Sequence, residues 1–466
     1  MTKLFFFKMG RKSYFYATFL SMILLFSSCS SDYVNVIPAS STALVSFDLP
    51  KMAEQIGSDK ADNAATLKSL LHVDDVSDCG INFSDKAYAF ETTDGSLGMV
   101  LSVSDESDME DWFMSLSKTG ICTKITERKG YKFTVLHDNF VAGFSSNALL
   151  IMGPSVGAAQ AELQRKMVKY LKADDDAGIS SSRLYERIES MNSPICMVAQ
   201  AQALPDKFVA PFTLGAPKGT PATDIYIAAE MNVGSNGCLE ITGENFSFNK
   251  QVDDALKAAS KSYQPITQKY LSSISKDVMF ALICGVKGDD YIQKLRGNDA
   301  FRSILLGLNS AIDIDQMIKG IQGDMLMVVP SMNGEKLDFQ MVATVAQTDW
   351  LKDVDYWKSS CPSGSKIINW TRPNSYHFIG SDWNVYFGVN DSQQLFFGSN
   401  EILASSAGKQ TQNAISEDIQ KQIVGKKLCA VVNISAITES KPEIKTFTDL
   451  LSPIFGQLNT IIYSLK

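Results

Sequence analysis

Gly153-Pro154-Ser155-Val156-Gly157 fits the pattern G-x-S-x-G, with the apolar run Ala148–Met152 before it and a helical pattern after it. That strand-turn-helix context is the one in which a hydrolase presents a nucleophilic serine. Such a serine needs a base and an orienting acid, in the chain order serine, acid, histidine. Of the three histidines only His377 lies downstream, inside a segment that alternates as a strand. Ser155 and its counterpart Asn400 therefore read as helix N-caps, whose side-chain oxygens meet the free amides of a first turn. Asp174-Asp175-Asp176 offers hard oxygen ligands, but Gly178 falls at the fifth position of that loop and the calcium-loop spacing fails. His72, Asp74, Asp75 and Asp78 read as a polar turn. There is no phosphate-binding loop or paired-glycine nucleotide fingerprint, and the eight cysteines lack zinc spacings. No metal and no cofactor is expected, and no catalytic residue is assigned.

One residue has a definable chemistry. Lys3, Lys8, Arg11 and Lys12 precede an apolar stretch of 13 residues, Tyr14 to Phe26, which ends in Leu25-Phe26-Ser27-Ser28-Cys29. The stretch is too short for a spanning helix, which needs about 20 apolar residues. Its layout is that of an export signal, and its end resembles the bacterial lipobox. Residues 1–28 are then cleaved and Cys29 is acylated, with a fatty chain such as palmitate as the membrane anchor. Removing four cationic residues takes the net charge from −8 to about −12. An acidic chain of this kind is a poor partner for nucleic acid. Cys196, Cys284 and Cys429 sit in apolar runs and read as small core residues. A Cys79–Cys122 disulfide is left open.

The elements that position these residues are repeated. From Tyr131 and from Tyr376, 23 residues match without a gap, with Tyr131, Phe133, Asn139, Gly143, Leu150 and Gly153 meeting Tyr376, Phe378, Asn384, Gly388, Leu395 and Gly398. Each copy reads as three antiparallel strands, with His137-Asp138-Asn139 and Asp382-Trp383-Asn384 as turn tips. Upstream, the stretches from Asp85 and Asp324 match and reach hairpin signals at Asp94-Gly95 and Asn333-Gly334. Helices are predicted at 107–117 and 349–359, and a strand follows each copy at 195–202 and 428–435. The fold class is α+β: two tandem duplicated units of mainly antiparallel sheet with helices packed on one face. The expected divisions are a signal peptide (1–28), a first unit (29–210), and a linker with an extra hairpin and a long helix at 249–273 (211–273). A second unit (274–437) and a C-terminal helix (438–466) complete the chain.

The opening YVNVIPASSTALVSFDL, with its strand-helix start and the repeated layout, resembles domain-of-unknown-function family 4836. Its members are Gram-negative envelope lipoproteins. The resemblance implies an envelope location and this fold over nearly the whole mature chain. It implies no activity and no site residues.

Trp350, Trp357, Trp370 and Trp383, four of the five tryptophans, crowd into one stretch with Tyr356, Tyr376 and Tyr386. Exposed aromatic clusters mark recognition sites; buried ones fill a core. Trp370, Trp383, Tyr376 and Tyr386 are the candidate contact surface, for an envelope protein or a glycan. The expected function is a non-enzymatic binding or scaffold lipoprotein of the outer membrane, facing the periplasm, with the cell surface as the alternative face. The competing reading is an envelope hydrolase acting on glycan or peptide between the units through dispersed carboxylates.

Overall fold

The computed structural model describes residues 32–56, 65, 68–69, 71–204, 206–234, 237–333, 336–380, 384–440 and 458–466. Cys29, Trp383 and residues 441–457 lie outside them. Two compact units account for the chain, Met1–Pro50 with Lys68–Glu189 and Lys51–Leu67 with Ser190–Lys466.

Alternating runs build the first unit. After a 3-10 turn (Asp32–Val36) come β1 (Ala43–Phe47), α1 (Leu49–Ile56), β2 (Ala87–Glu91), β3 (Leu97–Ser102) and α2 (Glu106–Lys118). Then follow β4 (Thr126–Arg128), β5 (Tyr131–Leu136), β6 (Phe140–Phe144), β7 (Ala148–Gly153), α3 (Gly157–Leu171) and α4 (Arg183–Glu189). The strands form one antiparallel sheet in the order β4-β5-β6-β7-β3-β2-β1. Asp105 caps α2 by accepting from the amides of Ser107 and Asp108, and Met109, Phe113 and Leu116 pack onto Ala142, Phe144 and Leu149. The opposite face carries α3 and α4, which pack on β6, β7 and β1. Strand glycines recur where an aromatic ring crosses from the neighbouring strand. A Cβ at Gly143 would stand 2.5 Å from the Phe133 ring, and one at Gly98 2.3 Å from Phe90. The glycine gives the ring its place over the sheet.

The second unit opens with β8 (Ile195–Gln200), α5 (Asp206–Phe212), β9 (Tyr226–Val233), β10 (Cys238–Phe246), α6 (Lys250–Ala259) and β11 (Tyr263–Gln264). It continues through β12 (Phe280–Lys287), α7 (Gly288–Gly297), α8 (Asp299–Leu308), α9 (Ile314–Lys319), β13 (Ile321–Val329) and the hairpin β14 (Met332–Asn333) and β15 (Lys336–Leu337). Next are β16 (Gln340–Val345), α10 (Val354–Ser360), β17 (Lys366–Asn369), β18 (Ser375–Ile379), β19 (Asn384–Val389) and β20 (Gln394–Gly398). The last elements are α11 (Glu401–Ser406), α12 (Glu417–Ile423), β21 (Leu428–Asn433), α13 (Ile434–Ser440) and β22 (Thr460–Leu465). Its main sheet runs β17-β18-β19-β20-β16-β13-β12-β21-β22-β10-β9-β8, antiparallel except between β10 and β22. The run β17 to β12 has the same order of strands as the first unit, and a helix follows the third strand in both (α2 and α10).

The protein is α+β, and four expectations change. Helices cover both faces of each sheet. In the second unit α7 to α10 pack one face, while α11, α12 and the segment 266–274 pack the other. The expected long helix stops at Ala259, because Pro265 has no amide to continue it and Tyr263 pairs with Val286 instead. The expected C-terminal helix is not what residues 460–465 form: they are a strand between β10 and β21. Its alternate residues Ile462 and Ser464 are buried, which suits the two-residue period of a strand. Finally, the ungapped match does not survive as pairing register. Phe133 faces Gly143, whereas Phe378 faces Val385 and Gly388 faces Ser375. Leu136 pairs with Phe140 around residues 137–139, but Ile379 pairs with Asn384 around residues 380–383, so the second turn is one residue longer.

Candidate functional site

That longer turn decides where the aromatic side chains of the second unit go. Side chains of a strand alternate between faces, and the register of β18 on β19 sets His377 beside Tyr386 and Tyr376 beside Phe387. Tyr376 therefore turns toward the helices. It is 9 % exposed and packs on Phe387 at 5.6 Å, with the Lys358 ammonium 5.3 Å from its ring. Trp350 and Trp357, 2 % and 6 % exposed, stack at 5.8 Å in the same core. Three of the aromatic residues gathered by sequence are core, and Tyr376 is removed from the contact surface. Tyr356 is exposed on α10, and Trp383 lies outside the described residues.

Trp370 and Tyr386 come together on the other face. Ile368, His377 and Tyr386 stand side by side across three strands. The imidazole of His377 stacks on the Tyr386 ring at 3.9 Å, with 9° between the planes. Trp370 follows β17, where its amide donates to the Ser375 carbonyl (2.9 Å) and extends the hairpin. Its indole meets Tyr386 edge-on at 5.0 Å and lies 6.1 Å from Phe396. Trp370 Nε1 donates to Glu401 Oε1 at 3.3 Å. Glu401 is held there because Asn400 caps α11, accepting from the Leu403 amide at 3.0 Å. Ile368, in line with His377 and Tyr386, is 42 % exposed, while Trp370 and Tyr386 are partly buried against the core that α11, α12 and residues 266–274 cover. Burial holds the His377 pKa below the ordinary imidazole value, with Glu401 pulling upward and Lys366 downward. Its Nε2 is buried without a hydrogen-bond partner in the structure. The arrangement can hold a ligand against indole and carboxylate. No group within it is placed as a nucleophile with its base. Glu401 and Ile368 were missed by sequence reading; the strand alternation of β17 and the cap at Asn400 were the signals that could have found them.

The other sequence candidates separate. Ser155 is not a helix cap: α3 begins at Gly157 with Val156 in the cap position and no side-chain cap bond, while Asn400 does cap its helix. The Ser155 amide instead donates to the Asn139 carbonyl (2.7 Å). Asp174 to Asp176 line a cleft of about 570 Å³ in the first unit with Asp32, Asn35 and Asn147. There the Asn35 amide donates to Asp175 Oδ1 at 2.5 Å. Asp75 caps a short 3-10 turn by accepting from the Ser77 amide. Among the described residues no group of three or more His, Cys, Asp or Glu is arranged to hold a metal ion. Cys79 and Cys122 are free, buried thiols, each donating to a carbonyl, of Val76 and of Phe113. Cys29 lies outside the described residues. The segment behind it forms a 3-10 turn rather than the expected strand, and Tyr33 to Val36 are buried. Among the described residues no helix is long and apolar enough to cross a membrane.

An α+β chain with a half-buried aromatic and carboxylate cluster on an antiparallel sheet is thus defined. It belongs to a family described as a domain of unknown function, DUF4836, whose model matches residues 33–452. No curated protein matches it. Among solved structures, crystal form IV of TP0453 matches at 11 % identity and a TM-score of 0.28, covering 44 % of this chain and 76 % of that one. Crystal form III of TP0453 matches at 8 % identity and a TM-score of 0.24, covering 81 % and 97 %. At that degree of overlap neither fold nor function transfers.

Proposed function

We propose that this chain is a lipid-anchored cell-envelope protein without catalytic activity, which binds a partner where Trp370 comes to the surface at the edge of β17. The observation that carries the reading is the set Trp370, Tyr386 and Glu401, with exposed Ile368 in line with Tyr386. Aromatic residues in such a setting contribute more to recognition than any other type. Replacing Trp370 and Trp383 together with alanine should abolish pull-down of envelope partners in a variant that still unfolds cooperatively. Unaltered pull-down would refute it.

The anchor reading rests on the lipobox-like run ending at Cys29. Tyr33 to Val36 are buried, and only three residues of sequence separate Cys29 from Tyr33. The first unit then lies close to the bilayer, on the periplasmic side of the outer membrane in our reading. Cys29→Ser should remove incorporation of labelled palmitate and release the chain from the membrane fraction. Protease shaving of intact cells separates the periplasmic face from the cell surface. The shared strand order of the units, kept despite altered register, supports their origin by duplication.

A further inference from the structure

We infer that the partner at this edge is a second copy of the chain, joined to the first by antiparallel pairing of β17 with itself. The inference rests on the binding reading above and names its partner. β17 ends the main sheet of the second unit: it pairs with β18 on one side, and among the described residues no strand lies on the other. The Trp370 amide donates to the Ser375 carbonyl, so by the alternation of an antiparallel ladder residues 366, 368 and 370 bond to β18. The N–H and C=O groups of Ile367 and Asn369 therefore point outward, and the described residues offer them no partner. The corresponding edge of the first unit, β4, is three residues long and carries Glu127 and Arg128. Such charges keep a sheet edge from pairing. β17 instead has Ile368, exposed, at its centre.

A two-fold axis at Ile368 makes this edge complementary to itself. Ile367 of each copy then faces Asn369 of the other, and each facing pair exchanges both of its backbone hydrogen bonds. On the face shared with Tyr386, Ile368 meets Ile368, and Lys366 meets Trp370 of the second copy. Directly opposed side chains have Cβ atoms about 5 Å apart, so the ammonium of exposed Lys366 reaches the indole. Glu401 stands beside that indole, exposed and hydrogen-bonded to Trp370 Nε1 at 3.3 Å. Opposite charges thus meet at both ends of the paired strands. Neighbouring registers do worse. Moving the axis to Asn369 sets Lys366 opposite Arg372, and like charges repel. Moving it to Ile367 needs the Ser365 amide, which already donates to the Pro362 carbonyl. The net charge of −8 opposes association only at long range, because physiological salt screens it beyond about 8 Å.

The experiment uses the mature chain with Cys29 and Cys361 replaced by serine. Sedimentation velocity should show a monomer–dimer equilibrium with a Kd on the order of 0.1 mM, weak because one short edge buries less than a standard interface. Asn369→Pro removes only an outward amide and spares the β17–β18 ladder; it should weaken the dimer at least about tenfold. Lys366→Glu, which brings a like charge to Glu401 of the second copy, should do the same. Under mild oxidation Ile368→Cys should form a disulfide-linked dimer at least about tenfold faster than Asn369→Cys. Residues opposed across the axis have Cα atoms about 4.5 Å apart, within disulfide reach, whereas the two copies of residue 369 are offset by more than about 7 Å. Both cysteine variants sit at exposed positions and cover the case in which the proline variant unfolds. Three results overturn the inference: a monomer up to about 1 mM, a dimer that folded Asn369→Pro or Lys366→Glu retains, or equal cross-linking of the two cysteine variants. If the chain is monomeric but the Trp370 and Trp383 double variant still loses its pulled-down partner, self-pairing falls and the binding reading stands.

Discussion

Tyr376→Ala tests the register that divides the aromatic residues between two faces. Tyr376 is 9 % exposed and its ring lies against Phe387, with the Lys358 ammonium beside it. Removing a buried ring of this size costs about 3 kcal/mol, the low end for aromatic truncation, because the hydroxyl lies near the edge of the core. Tyr356 on α10 is 70 % exposed, so Tyr356→Ala should cost no more than about 0.5 kcal/mol. In urea unfolding, taking a slope of about 3 kcal/mol/M, these become midpoint shifts of about 1 M and less than about 0.2 M for the transition of the second unit. Circular dichroism and tryptophan fluorescence should report the same order. If Tyr376→Ala shifts the midpoint no more than Tyr356→Ala, Tyr376 does not face the helices and the β18–β19 register is wrong. Tyr376→Phe, which keeps the ring, should shift it by less than about 0.3 M.

Further outcomes follow from the caps, the thiols and the imidazole. Asn400→Ala should cost about 1 kcal/mol in equilibrium unfolding and Ser155→Ala close to nothing, since only Asn400 accepts from a first-turn amide; equal losses would refute the assignment. In the mature chain lacking Cys29, only Cys361 should react quickly with a thiol reagent in the native state. The other six cysteines are buried, and burial pushes Cys284 and Cys429 up to about 12 and Cys238 up to about 11. More than one fast thiol per chain would contradict this. Burial lowers the folded pKa of His377, so the unfolded chain takes up its proton first as acid is added. Its contribution to stability is intact above about 6.5 and is lost as pH falls below that value. Melting curves at pH of about 7.5 and 5 should show wild type losing more than His377→Gln; equal losses would refute it.

How much could be read without a structure depended on the range of the interaction. Hydrophobic period located the strands because alternation is local: β5 to β7 and β18 to β20 stand where the pattern puts them, and β8 and β21 begin where it does and end two residues sooner. Cap chemistry is local too, yet it misled at Ser155, where the backbone takes Val156 as the cap and the serine amide is held by Asn139. Hydrophobicity also described residues 460–465 without saying helix or strand, because a short apolar run satisfies either. Only the vacancy between β10 and β21 settled it.

The sequence alone determined the α+β class and the order of strands that the two units share. Each is carried by residues near one another in the chain. Tertiary structure decided which aromatic residues meet. A one-residue change in register moves a side chain to the opposite face of a sheet. The longer turn at 380–383 set Tyr386 against His377 instead of Tyr376. Glu401, 31 residues from Trp370, entered the cluster only because β20 returns beside β19 and hands the chain to α11 at that spot. Local pattern says that a strand alternates. It cannot say which neighbour waits on either side.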